Sequence, residues 1–86
     1  MKRNYRNAFN ALEKIGAPLI DHGGEEFYIS AENNVDEIWA DYYMMGYPAC
    51  SMLDDFGVNH KINAILDKYG LFAEWQNPGC LAVCEA

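Results

Sequence analysis

Leu71-Phe72-Ala73-Glu74-Trp75-Gln76-Asn77-Pro78-Gly79-Cys80-Leu81-Ala82-Val83-Cys84-Glu85 is the stretch that decides the fold. Two runs of strand-forming residues flank Asn77-Pro78-Gly79, and Pro beside Gly is turn chemistry, since Pro presets φ and Gly accepts conformations other residues avoid. The stretch therefore reads as a hairpin. Leu71, Ala73 and Trp75 face a core, and Phe72, Glu74 and Gln76 point away. The returning run, Cys80 to Cys84, is apolar on both faces. Such a strand lies either in the centre of a sheet or under a second subunit.

The same pattern occurs earlier in the chain. Leu19-Ile20-Asp21-His22 and Glu25 to Ala31 flank Gly23-Gly24, which predicts a two-residue hairpin with Phe27, Ile29 and Ala31 on one face. A helix precedes each hairpin. From about Asn4 to Ile15, the residues Tyr5, Ala8, Phe9, Leu12 and Ile15 recur at helical spacing, and Gly16 with Pro18 stops the run. From about Asn59 to Tyr69 the stripe is Ile62, Ile65, Leu66 and Tyr69, closed by Gly70. Between the two units, Asn33 or Asn34 is placed to cap a central helix running to Met45, with Asp36 and Glu37 in its first turn. Val35, Ile38, Trp39, Tyr42 and Met45 form its apolar stripe, and Ser51 to Gly57 reads as a short helical turn. The expectation is an α+β fold with element order α-β-β-α-α-β-β, a single domain over residues 1–86. Its antiparallel four-stranded sheet comes from two hairpins packed with helices.

Leu12-Glu13-Lys14-Ile15-Gly16 matches Leu66-Asp67-Lys68-Tyr69-Gly70 at an offset of 54 residues. One reading is an αββ unit used twice around a central insert. The other is the same helix-stop physics arising independently.

Charge is the second informative feature. The 86 residues carry a formal net charge of −7. Between Ile15 and His60 there is no Lys or Arg, while nine acids fall there: Asp21, Glu25, Glu26, Glu32, Asp36, Glu37, Asp41, Asp54 and Asp55. That stretch carries −9 and its flanks +2. The balance opposes direct nucleic-acid binding, which draws its affinity from Lys and Arg. A single-sign field of this kind instead favours encounter with a cationic partner. No apolar run approaches the ~18 residues of a membrane helix. The basic N-terminus lacks an apolar h-region, because Asn7, Asn10 and Glu13 interrupt it, so a cytoplasmic location is expected.

Motifs for chemistry are sparse. Three cysteines, Cys50, Cys80 and Cys84, form no framework and read as reduced thiols. Cys80 and Cys84, four apart on a strand, stand more than ~10 Å from each other. That is too far to share one Zn²⁺ at bonds of ~2.3 Å. A metal site would need Cys50, His22 and His60 to converge from loops, and a Cys50–His60 nucleophile and base lacks any surrounding signature. No cofactor, metal or catalytic residue is expected. The candidate site is a surface: Tyr43, Met44 and Tyr47 beside Asp36, Glu37 and Asp41, joined by Glu25, Glu26, Glu32, Asp54 and Asp55. Tyr and Met supply contact area while the acids steer a basic partner.

With the acidic block, the free cysteines and the missing catalytic motif together, the chain resembles the small acidic inhibitors of phages and mobile elements, of the anti-CRISPR and antirestriction type. The resemblance is one of size and composition over the whole chain, with no shared motif. It implies a non-enzymatic inhibitor that binds a basic nucleic-acid-handling protein, such as a CRISPR effector, and occludes its basic site. Two alternatives stand beside it: a homodimeric accessory protein closed through the final strand, and a small Cys/His metal protein.

Overall fold

The computed structural model describes residues 1–34, 37–44 and 52–86. The chain is an α+β fold: helix α1 (Arg3–Lys14), strands β1 (Leu19–Ile20) and β2 (Tyr28–Ser30), a 3-10 turn (Tyr42–Met44), helix α2 (His60–Lys68), then β3 (Leu71–Asn77) and β4 (Cys80–Glu85). The four strands form one antiparallel sheet in the order β1-β2-β4-β3. The expected element order is observed, with the 3-10 turn in the place of the central helix. Among the described residues, no helix is long and apolar enough to cross a membrane.

One face of the sheet packs on the two helices. Tyr5, Ala8 and Leu12 from α1 and Ile62 and Leu66 from α2 close over Phe27, Ile29, Leu81 and Val83. Phe27 is fully enclosed and takes the edges of Tyr5 and Phe9 at ring-centroid distances of 6.4 and 5.2 Å. Each Leu buried in this way contributes roughly 1.5–3 kcal/mol of transfer free energy.

Shifting the sequence by 54 residues superimposes more than the five-residue match. Leu19 pairs with Ile29 and Ala73 with Val83; Ile20 pairs with Tyr28 and Glu74 with Ala82. Both hairpins thus share one register. The helix ends agree too. Ile15 and Gly16 donate their main-chain N–H groups to Leu12 and Glu13, as Tyr69 and Gly70 do to Leu66 and Asp67. Gly16 and Gly70 both adopt positive φ, at 86° and 71°, where a Cβ would be strained. Where β2 meets β4, Tyr28 faces Ala82, its own counterpart in the other unit. Antiparallel pairing centred on equivalent residues is what a local two-fold axis through the sheet produces. The geometry carries the αββ repeat well beyond its caps.

β4 lies between β2 and β3, so its double-sided apolar character is that of a central strand. Leu81 and Val83 point to the helices. Cys80, Ala82 and Cys84 lie half-buried on the opposite face, which no described helix or strand covers.

Two local expectations differ from the structure. A two-residue Gly23-Gly24 turn would set Ile20 opposite Phe27, but Ile20 sits opposite Tyr28. The Asp21 side chain accepts a hydrogen bond from the Gly23 N–H at 2.8 Å, forming a turn that ends β1 early and leaves a loop from 21 to 27. The one-residue shift places Leu19 on the same face as Ile29.

The second difference is the central segment, where residues 37–41 form no helix. Ala40 bridges Val58, Asp41 N–H donates to the Gly57 carbonyl at 2.8 Å, and Asn59 N–H donates to Trp39 at 2.9 Å. Asn34 acts as a loop clamp instead of a helix cap: its side-chain NH₂ donates to the Ala31 and Ala40 carbonyls, and its oxygen accepts from Trp39 N–H. Residues 52–57 likewise form turns rather than a helix. Tertiary pairing overrides a helical period here, because it buries Trp39 and Ala40 against the core.

Candidate interaction surface

Among the described residues, the predicted acids are spread over several loops. Glu25 and Glu26 are exposed in the β1–β2 loop. Glu32 is exposed at the other end of β2, beside the β3–β4 turn; its carboxylate lies 2.8 Å from where a Cβ on Gly79 would stand. Asp55 is exposed in the loop before α2. Tyr43 is the most exposed large aromatic of the described chain, at 75%. Asp36 and Tyr47 lie outside the described residues, as do Cys50 and the side chain of Met44.

Three of the predicted acids have structural partners. Asp54 accepts from the N–H groups of Phe56 and Val58 at 2.8 and 2.9 Å through one oxygen, and from the Asn63 side chain at 2.8 Å through the other. Asp41 accepts from Tyr43 N–H at 3.0 Å and so starts the 3-10 turn. Glu37 accepts from Lys61 Nζ and from the Asn59 side chain. The Lys61 hydrogen bond holds its carboxyl below the ordinary carboxylate value, with burial opposing and Asn59 assisting.

Buried Asn59 joins these parts. Its side-chain oxygen accepts from Lys61 N–H and caps α2, while its NH₂ bridges Glu37 and the Ile38 carbonyl. The central segment is thereby fixed to the second helix.

What the fold does bring together is an aromatic groove of about 790 Å³ along β3. Tyr42 stacks edge-on to Trp75 with ring centroids 5.4 Å apart, and Tyr43 edge-on to Tyr42 at 5.6 Å. Trp75 Nε1 donates to the Phe56 carbonyl at 2.7 Å. Phe56 and Phe72 are 65% and 44% exposed. Residues 74–78 continue the lining, and among the described residues Glu74 is the charged one in it.

The sequence assigns Tyr42 and Trp75 to the core, yet they meet at its margin. Trp75 is half-buried and Tyr42 exposed. Phe56 carried no assignment. A strand residue, a loop residue and a turn residue converge only after folding, and no spacing encodes that.

β3 is an edge strand, and the orientation of its main chain follows from its neighbours. Val83 N–H donates to the carbonyl of Phe27, just before β2, and Ala86 N–H donates to the Gly70 carbonyl. Alternation along an antiparallel ladder then turns the groups of Phe72 and Glu74 toward β4 and those of Ala73 and Trp75 outward. Among the described residues, no hydrogen bond reaches the outward N–H and C=O groups of Ala73 or Trp75.

Cys80 and Cys84 are free and half-buried. Burial pushes the Cys80 thiol pKa upward; burial and the adjacent Glu74 carboxylate do the same for Cys84. A protonated thiol is a poor nucleophile and a poor metal ligand. Among the described residues, no three His, Cys, Asp or Glu side chains come close enough to hold a metal ion.

Comparison with known proteins finds no matching family, no similar curated protein and no similar solved structure.

Proposed function

We propose that this chain is a non-enzymatic, acidic protein-binding inhibitor. It acts in the cytoplasm of a bacterial cell, where it occludes a basic, nucleic-acid-handling surface of a defence complex such as a CRISPR effector. The observation that carries the reading is the groove: exposed aromatic side chains around Glu74, with no Lys or Arg in the described lining. Aromatic residues supply most of the contact energy at interfaces, and acids at the rim set encounter rate and partner choice. Asp41 and Asp55, next in sequence to Tyr42 and Phe56, extend the negative field, and Glu32 does so at the β3–β4 turn.

The test is binding to a purified RNA-guided effector complex in the presence and absence of its target DNA. Wild type is compared with a variant carrying Asp41→Lys, Asp55→Lys and Glu74→Lys together. The reading predicts competition with DNA, an affinity that falls with salt, and loss of both in the variant. Unchanged affinity and unchanged salt dependence in the folded variant remove the acidic surface from the account.

A second reading rests on the face of the sheet turned away from the helices, where Tyr28, Cys80, Ala82, Cys84 and Phe72 lie half-buried or exposed. A second copy seated there would make the protein a homodimeric accessory protein. Sedimentation separates the two: a tight dimer that protects Cys80 and Cys84 from alkylation favours it, and a monomer at micromolar concentration opposes it.

A further inference from the structure

We infer that the β3 edge takes an extended segment of the partner as an added antiparallel or parallel strand, with basic side chains on one face of that segment and apolar ones on the other. This deepens the binding reading and rests on it. The argument begins with the main chain. An exposed edge is a template for strand addition, and proteins ordinarily blunt it with shortness, Pro, Lys or a cover. β1, the opposite edge, is blunted: it spans Leu19–Ile20, follows Pro18 and is ended by the Asp21 turn. β3 spans seven residues without Pro or Lys; its pairing with β4 is regular from Leu71 to Trp75 and shifts register only between Trp75 and Asn77, and the outward groups of Ala73 and Trp75, on the regular part, border the groove.

The side chains then set the period-two preference. On one side of β3, Trp75 joins Tyr42 and Phe56 in an aromatic wall. On the other, Phe72 and Glu74, paired with Cys84 and Ala82, project from the face turned away from the helices. An incoming strand presents alternate residues to these two sides, so apolar residues meet the wall and basic residues meet Glu74. Charge complementarity also selects among occupants. A second copy would bring another chain of net charge −7 to the same edge, whereas a cationic segment is attracted.

The probe is a capped decapeptide of alternating Arg and Val, titrated into ¹⁵N-labelled protein. One control replaces Arg by Glu, and another carries N-methyl groups on alternate residues of one edge. The expected result is a set of progressive shifts over residues 71–77, with slowed hydrogen exchange at the Ala73 and Trp75 amides. The Glu peptide should bind at least about tenfold more weakly, and so should the edge-methylated peptide that cannot pair. Ala73→Pro should abolish the response without removing a ladder bond, because that N–H points outward. Should this variant fail to fold, the N-methylated peptide carries the same test.

Shifts confined to Glu25, Glu26 or the 52–57 turns, with Ala73 and Trp75 unmoved, overturn strand addition while leaving an acidic binding surface intact. Silence toward every cationic peptide, together with no binding to the effector complex, ends both readings. A dimer that protects Ala73 and Trp75 without peptide shows that a second copy holds the edge and overturns the partner segment.

Discussion

The two αββ units share a register, a helix stop and a set of buried positions, yet they end their hairpins differently. In the first, Asp21 makes the turn that stops β1 after two residues. In the second, the counterpart of Asp21 is Trp75, and Asn77 makes the same kind of turn two positions later, accepting from Gly79 N–H at 2.9 Å. At the other end of the strand, Pro18 in the first unit corresponds to Phe72 in the second. The core positions keep their burial: Ala8 and Ile62, Leu12 and Leu66, Phe27 and Leu81, Ile29 and Val83 are all enclosed. Packing thus constrains the two units alike. The difference is clearest at the edge strands: one unit closes its edge after two residues, and the other keeps a seven-residue, aromatic edge that no described residue pairs with.

The largest expected effects test the shared part. Leu12→Ala and Leu66→Ala each remove a fully enclosed side chain from equivalent places, so each should cost about 2–5 kcal/mol in denaturant unfolding. The two values should be similar. A cost below ~1 kcal/mol for either would break the equivalence of the units in the core.

Asn59→Ala comes next. It removes the α2 cap and frees the Glu37 and Ile38 groups that Asn59 holds, which should cost about 2–3 kcal/mol. Hydrogen exchange should rise at Trp39 and Asp41, whose main chains pair with Asn59 and Gly57. A destabilisation confined to α2, with those amides unaffected, would detach the central segment from the second unit.

Gly16→Ala and Gly70→Ala sharpen the comparison at the helix stops. Both glycines hold positive φ with open space around them, so the strain is conformational alone, about 1 kcal/mol at each site. Thermal melts of the two variants should therefore fall by similar amounts.

The smallest effect is electrostatic. Glu37 is held below its ordinary pKa by Lys61, and Glu85 by Lys2, whose Nζ lies 2.6 Å from it. A lowered carboxylate pKa adds stability that is complete above the ordinary carboxylate range. That stability is lost as the pH falls through the lowered value. Both pairs are solvent-accessible, so the loss is small and salt-sensitive. In melts from pH 7 to pH 3, Glu37→Gln should show a shallower acid decline than wild type; an identical decline would remove this pair as a source of acid sensitivity.

Much of the fold is legible in the sequence because short-range physics sets it. The α1 stripe, the Gly16 and Gly70 stops and the Asn77-Pro78-Gly79 turn each act over a few residues. The central segment escapes such a reading. Val35, Ile38, Trp39 and Tyr42 have a helical period, but Ala40 bridges Val58 and Asn34 clamps the loop across itself. The bridge to Val58 is made with a segment distant in sequence, and the Asn34 clamp spans the loop between residues 31 and 40 with a side chain that helical periodicity assigns to a cap. The sequence singles out Tyr43, which stacks on Tyr42 beside the groove, but not Glu74, the charged residue of the groove's described lining. The site was illegible in Tyr42, Phe56 and Trp75, because apolar periodicity cannot tell a side chain at the margin of a core from one inside it.

The open edge is tested most directly by residue-resolved amide exchange along β3 in the free protein. The account predicts slow exchange at Phe72 and Glu74, which pair with β4, and fast exchange at Ala73 and Trp75 between them. Equal protection at all four amides would mean that the edge is already covered, and would contradict the claim that the second unit leaves it open.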